Sequence, residues 1–116
     1  MRILVTVSPL MFREAMALSI HDRRPDFEVL IAPPRPSDGR TGRFGPHVLV
    51  HDAGETAPPR ALAGDLVCRV RVRGAARVDA TVEAGGAVSE VRDADLEDLF
   101  GALEGAEGLL AGEGGG

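Results

Sequence analysis

Few residues in this chain carry reactive groups, and most of them sit at the ends of apolar runs. Asp52 closes the run His47-Val48-Leu49-Val50-His51-Asp52. A lone carboxylate there is either a phosphoryl acceptor or a cap for the loop Ala53-Gly54-Glu55. One carboxylate holds magnesium poorly, because the ion wants several oxygen ligands. His47 and His51 share a side of an extended chain while Asp52 points to the other. Zinc needs three or four convergent ligands, so these three residues do not make a metal site. Ser8-Pro9 marks a helix start, where free N–H groups and the helix dipole attract an anion or a serine side chain caps the first turn. Ser8, His51 and Asp52 together form a candidate anion or ligand site. Arg69, Arg71 and Arg73 form a basic stripe that suits an acidic partner or cross-strand pairing with Asp79, Glu83 or Glu90. Cys68 alternates inward with Val70, which points to a buried, inert thiol. No Ser/His/Asp or Cys/His set stands out, and no glycine-rich phosphate loop follows the first apolar run. Catalytic residues, metal ligands and cofactors are therefore all assigned as none.

The elements that must position these groups begin with Arg2–Val7, a β-branched run suited to a strand covered on both faces. Pro9 is tolerated at a first helical position. Phe12, Met16 and Ile20, with Met11, Ala15 and Leu18 on the next row, draw a wide apolar helical face. The spacing predicts a helix over about 9–21. Residues 27–32, F-E-V-L-I-A, read as a second strand, and the intervening segment is long enough for a parallel crossover. Residues 33–46 hold Pro33, Pro34, Pro36 and Pro46, which predicts a loop with at most one helical turn around Ser37–Phe44. The third strand spans about 47–51, and one or two turns of helix are expected at Arg60–Ala63. A fourth strand runs over about 66–72.

The rhythm then changes. Cys68, Val70 and Val72 alternate with arginines, and Val78, Ala80 and Val82 alternate with Asp79, Thr81 and Glu83. Gly74-Ala75-Ala76-Arg77 is too short for a parallel crossover but suits an antiparallel turn. Ala84-Gly85-Gly86 is a second turn signal, so residues 78–91 read as an antiparallel hairpin. A last helix is expected over about 94–104, with the stripe Leu96, Leu99, Phe100 and Leu103 and with acids in its first turn. The domain is placed at 1–110 and the Gly-rich segment 111–116 is read as a disordered tail.

Composition narrows the function classes. The chain has 116 residues, 44% of them hydrophobic, and a formal charge of −5. Every base is arginine and every aromatic is phenylalanine. An acidic chain with so few stacking residues is a poor nucleic-acid binder by itself. No apolar run reaches the roughly 20 residues that span a bilayer, and no signal-peptide pattern opens the chain. The single cysteine agrees with a reducing, cytoplasmic setting.

Three segments carry a family resemblance. Pro9-Leu10-Met11-Phe12-Arg13-Glu14-Ala15-Met16 resembles the first-helix opening of response-regulator receiver domains. Pro25-Asp26-Phe27-Glu28-Val29 is similar to the opening of their second strand, and Pro46–Asp52 to their third, whose terminal aspartate accepts phosphate. The resemblance covers 2–72 and, more loosely, Val88–Leu103. It implies a flavodoxin-like (CheY-like) α/β sheet in which the 78–91 hairpin replaces a late crossover helix. Receiver phosphorylation gathers anions, so two acids beside the acceptor hold a divalent metal, and a hydroxyl and a lysine hold the phosphoryl oxygens. Here the acid-pair positions fall on Val7 and Ser8, and the hydroxyl position falls near Arg71. Arg92 is the nearest base to the lysine position.

The resemblance therefore implies a non-catalytic, stand-alone pseudo-receiver of two-component type, a cytoplasmic signal-transduction and protein-interaction module. Its partners would be a protein or a second copy, as a homodimer through the last helix or the hairpin edge, with neither nucleic acid nor membrane involved. Two alternatives remain open. One is a sensor of a small anionic ligand at the ends of strands one and three, and the other is a regulator still phosphorylated on Asp52.

Overall fold

Ile3, Leu4 and Val5 are fully buried, so the first strand, β1 (Arg2–Val5), is covered on both faces, as its composition requires. This computed structural model describes residues 1–33, 43–54, 65–74 and 77–114. Within them β1 is followed by helix α1 (Leu10–Arg23), β2 (Glu28–Ile31) and β3 (Val48–Asp52). The chain continues through β4 (Cys68–Arg73), β5 (Asp79–Ala84) and β6 (Ala87–Val91) to α2 (Leu96–Gly114). The helical turns read around 37–44 and 60–63 lie largely outside the described residues.

The result is an α/β unit with one mixed sheet, ordered β2-β1-β3-β4-β5-β6. β2, β1, β3 and β4 run parallel, with Ile3 opposite both Val29 and Val48, and Val48 opposite Cys68. β4, β5 and β6 run antiparallel. The sheet departs from the all-parallel flavodoxin-like one, in which five parallel strands run 2-1-3-4-5, through the antiparallel return after β4 that the hairpin pattern of 78–91 predicts. Its physical cause is the short link between Arg73 and Asp79, which cannot hold the dozen or more residues of a parallel crossover. Gly74 makes that link at φ +103°, and a Cβ there would collide with the Arg77 carbonyl oxygen. Gly85 and Gly86, both with positive φ, close the β5–β6 hairpin in the two-residue form that suits strand twist.

The core lies on one face of the sheet. Ile3, Val5, Val48, Val50, Cys68, Val70 and Val72 meet Met16 and Ile20 of α1 and Leu99, Phe100, Leu103 and Ala106 of α2. Burying one such side chain contributes about 1.5–3 kcal/mol. On the opposite face Leu4, Leu49 and Ala32 form a second, smaller cluster. Arg23 and Arg24 at the end of α1 bridge to Glu97 and Glu107 of α2, at 2.6 and 2.7 Å. Arg23 also covers the Phe100 ring, 4.4 Å from its centroid, a cation–π contact that holds the helices together.

Several sequence expectations need correction. The wide apolar face of α1 is narrower than the pattern suggests: its buried residues are Arg13, Met16 and Ile20. Met11 is 80% exposed and Leu18 is also exposed, because the row of 11, 15 and 18 turns away from the sheet. Ser8 does not cap the helix; Pro9 holds the cap position and no side chain caps it. α2 starts at Leu96 rather than 94. Its first turn is closed by a reciprocal pair in which the Asp95 N–H donates to Asp98 and the Asp98 N–H donates to Asp95, both at 3.0 Å, a carboxylate version of the capping box. The helix also runs to Gly114, ten residues past the expected 104. Leu103 and Ala106 continue its buried stripe. Gly101, Gly105, Gly108 and Gly112 face open space, so they weaken the helix only through backbone entropy. Residues 111–114, read as tail, thus belong to the helix.

Candidate functional site

The carboxyl ends of the parallel strands are where open α/β sheets present their working groups, and here they bring Ser8 and Asp52 together. The Thr6 N–H donates to the Val50 carbonyl at 2.9 Å, carrying the β1–β3 pairing past the formal end of β1. Two residues on, the Ser8 N–H donates to both carboxylate oxygens of Asp52, at 3.2 and 3.1 Å. Ala53 in turn donates to Val72 at 2.8 Å. The Asp52 carboxylate is therefore folded onto the chain entering α1. It occupies the N–H that the sequence offered to an anion. Val7, beside it, is fully buried and packs in the core.

His51 goes the other way, as strand alternation dictates. It is 2% exposed, and its Nδ1 lies 3.0 Å from the Asp52 carbonyl oxygen. A carbonyl only accepts, so Nδ1 turns its proton towards it, and Nε2 lies 3.3 Å from Arg69 Nη2. These partners hold the ring in one orientation. The structure thus joins Ser8 to Asp52 and separates both from His51, so the three candidate residues do not converge on one ligand position.

The arginine stripe divides as well. Arg69 stands opposite Glu83 in the β4–β5 register, and Arg71 opposite Thr81. Glu83 accepts from Arg71 Nη2 at 2.6 Å and faces Arg69 Nη1 at 3.7 Å. One glutamate thus bridges two arginines, forming the chain His51–Arg69–Glu83–Arg71 across three strands. Both arginines are partly buried, and their Nε atoms are buried without a hydrogen bond. Arg73 is exposed, and among the described residues it makes no ion pair. Two of the three guanidinium groups are therefore committed to the ladder and one remains outward.

His47 joins a different cluster, at the amino ends of the strands. Its Nδ1 accepts the Arg2 N–H at 3.0 Å, while Arg2 Nε donates to the Gly45 carbonyl at 2.8 Å. Burial, and then the neighbouring Arg2 guanidinium, hold the His47 pKa below its ordinary value. Cys68, buried in the core, has its thiol pushed up to about 11 by burial alone. Among the described residues no three His, Cys, Asp or Glu side chains are grouped to hold a metal ion. Also among them, no helix is long and apolar enough to cross a membrane.

Comparison with known proteins adds no relative: no family model, no curated protein and no solved structure matches the chain.

Two features escaped the sequence reading. Arg13 is only 9% exposed, and its buried Nε has no hydrogen bond. The spacing of 13, 16 and 20 on one helical stripe is the signal that places it inward. The second is an apolar cavity of about 230 Å³ between α1, α2 and the β4–β6 strands. The absence of a crossover helix between strands four and five was its only trace in the sequence.

Proposed function

We propose that this chain is a pseudo-receiver, a non-catalytic signalling module that works by protein interaction on a flavodoxin-like scaffold modified at its β5–β6 edge. The observation that carries the reading is the state of Asp52. Its carboxylate accepts the Ser8 N–H with both oxygens, and the adjoining position, Val7, is buried hydrocarbon. A receiver needs acids there to hold the divalent cation that offsets the charge of the incoming phosphoryl group. Arg71, at the position of the phosphoryl-binding hydroxyl, is held by Glu83. The parallel order β2-β1-β3-β4 with α1 as its first connection supports the scaffold part of the reading. Protein partners or a second copy would meet the outward Arg73 or the exposed β6 edge, where Val88 is solvent-facing.

An anion sensor at the same strand ends has less support. A free anion would have to compete with Asp52 for the Ser8 N–H and would meet a carboxylate at close range.

The test is incubation with acetyl phosphate and magnesium, read by intact mass. The expected result is an unmodified chain, with the same thermal midpoint as untreated protein. A stable mass gain of one phosphoryl group that disappears in Asp52→Asn would overturn the proposal in favour of a phosphorylated regulator.

A further inference from the structure

The cavity between the two helices is a feature of a different kind from the strand-end site. It is walled by Phe12 and Met16 of α1, Val72 and Val82 of the sheet, and Leu99 and Ala102 of α2, and its lining is almost wholly apolar. Native interiors rarely leave voids larger than a water molecule. At about 230 Å³ this one, partly open to solvent, has room for several waters but offers them hydrogen-bond partners only at its Asp95–Asp98 rim, so its apolar walls favour hydrocarbon over water. A cavity of about 150 Å³ accommodates benzene, so by proportion this one takes a body of about nine heavy atoms.

The rim decides the polar end of the occupant. Among the described residues the charged side chains lining the cavity are Asp95 and Asp98, with no base beside them. Each uses one oxygen on the other's backbone N–H, so the anion-attracting start of α2 is already filled and a second oxygen of each carboxylate remains. Asp93 also lies nearby in sequence and is exposed, whereas Glu97 is paired with Arg23. A carboxylate or phosphate head would be repelled there, whereas an ammonium group meets complementary charge. We infer that the cavity is a binding site for a small hydrophobic amine, a one-ring or short-chain body buried among the core side chains with its ammonium group against Asp95 and Asp98. This site does not depend on the pseudo-receiver reading, because it shares no residue with the Asp52 end.

The full chain is titrated with 2-phenylethylammonium, 2-phenylethanol and 3-phenylpropanoate, followed by calorimetry and by thermal shift. Saturable binding of the amine is expected, at least tenfold tighter than the carboxylate, with the preference shrinking as salt rises. The double variant Asp95→Asn/Asp98→Asn should bring amine and alcohol to within about threefold, since the residual apolar contact is shared. Ala102→Leu should fill the space and abolish binding of all three, with the thermal midpoint unchanged or raised. If that variant does not fold, Ala80→Val adds less bulk to the opposite wall and should weaken all three. Absence of saturable binding by any probe overturns the proposal. So does binding untouched by the filling variants, and equal affinity for amine and carboxylate removes the assigned head group.

Discussion

Cys68 gives the sharpest test of how the sheet is assembled. It is 1% exposed and sits opposite Val48 on one side and Ala84 on the other. Burial pushes its thiol pKa from 9.0 up to about 11. At pH 8 a free thiol with the ordinary value would be about one-tenth thiolate and Cys68 about one-thousandth. Because the thiolate is the attacking species, ionisation alone should slow modification about a hundredfold. Steric burial slows it further, since the reagent must wait for the strand to open. The assay is the rate of reaction with an aromatic disulfide reagent between pH 7 and 9, native against urea-unfolded. A native rate within tenfold of the unfolded rate at pH 8 would refute the burial. It would also refute the register, because a slip of one residue exchanges the valine and arginine faces of β4. The same shift has a stability consequence with a definite sign. The folded pKa lies above the unfolded one, so the contribution is fully present below pH 9 and is lost as pH rises from about 9 through 11. Two pH units of difference correspond to about 2–3 kcal/mol. Cys68→Val should remove this alkaline slope.

Other substitutions test the remaining elements. Gly105→Ala on the open side of α2 should raise stability by about 0.5–1 kcal/mol, or about 2–4 °C in thermal midpoint; no gain would mean that this stretch is not helical. Glu83→Gln leaves Arg69 and Arg71 side by side without their bridging anion, and should lower urea stability by about 1–2 kcal/mol after allowing for partial exposure. Arg13→Met replaces a buried, unsatisfied Nε with hydrocarbon and should stabilise by about 1 kcal/mol, measured by the same unfolding curve. His47 has a folded pKa below its ordinary 6.5, so its contribution is present above about pH 6.5 and is lost as pH falls towards and through the folded value. His47→Gln should flatten this part of the pH–stability profile. Below pH 4.5 a further decline should follow as Glu97, whose pKa is lowered by its hydrogen bond from Arg23, gains its proton.

What the residues alone determined was the sequence of elements and most of the core. Apolar runs at 3–7 and 48–50 suited strands covered twice, although β1 ends at Val5, and the period-two alternation from Cys68 to Val82 set one face of β4 and β5 inward. The five-residue link at Gly74 forced an antiparallel return, whatever happened elsewhere. Asp52 was legible as a solitary acid, because strand alternation parts it from His51 without reference to any fold.

Tertiary structure decided everything that depends on which groups meet across the sheet. That Asp52 spends its carboxylate on the Ser8 N–H, 44 residues earlier, follows from pairing β1 with β3 and has no local signature. The same holds for Glu83 serving two arginines at once, since register chooses one opposite partner and side-chain length supplies the second. The rotation of α1 put Arg13 inside and Met11 outside, a difference of two positions that composition does not weigh. Packing also carried α2 through its glycines to Gly114, because buried Leu103 and Ala106 outweigh local propensity. The cavity arises in the same way: it is the space left where two helices span a six-stranded sheet, a property of the assembled layers and of no single stretch of chain.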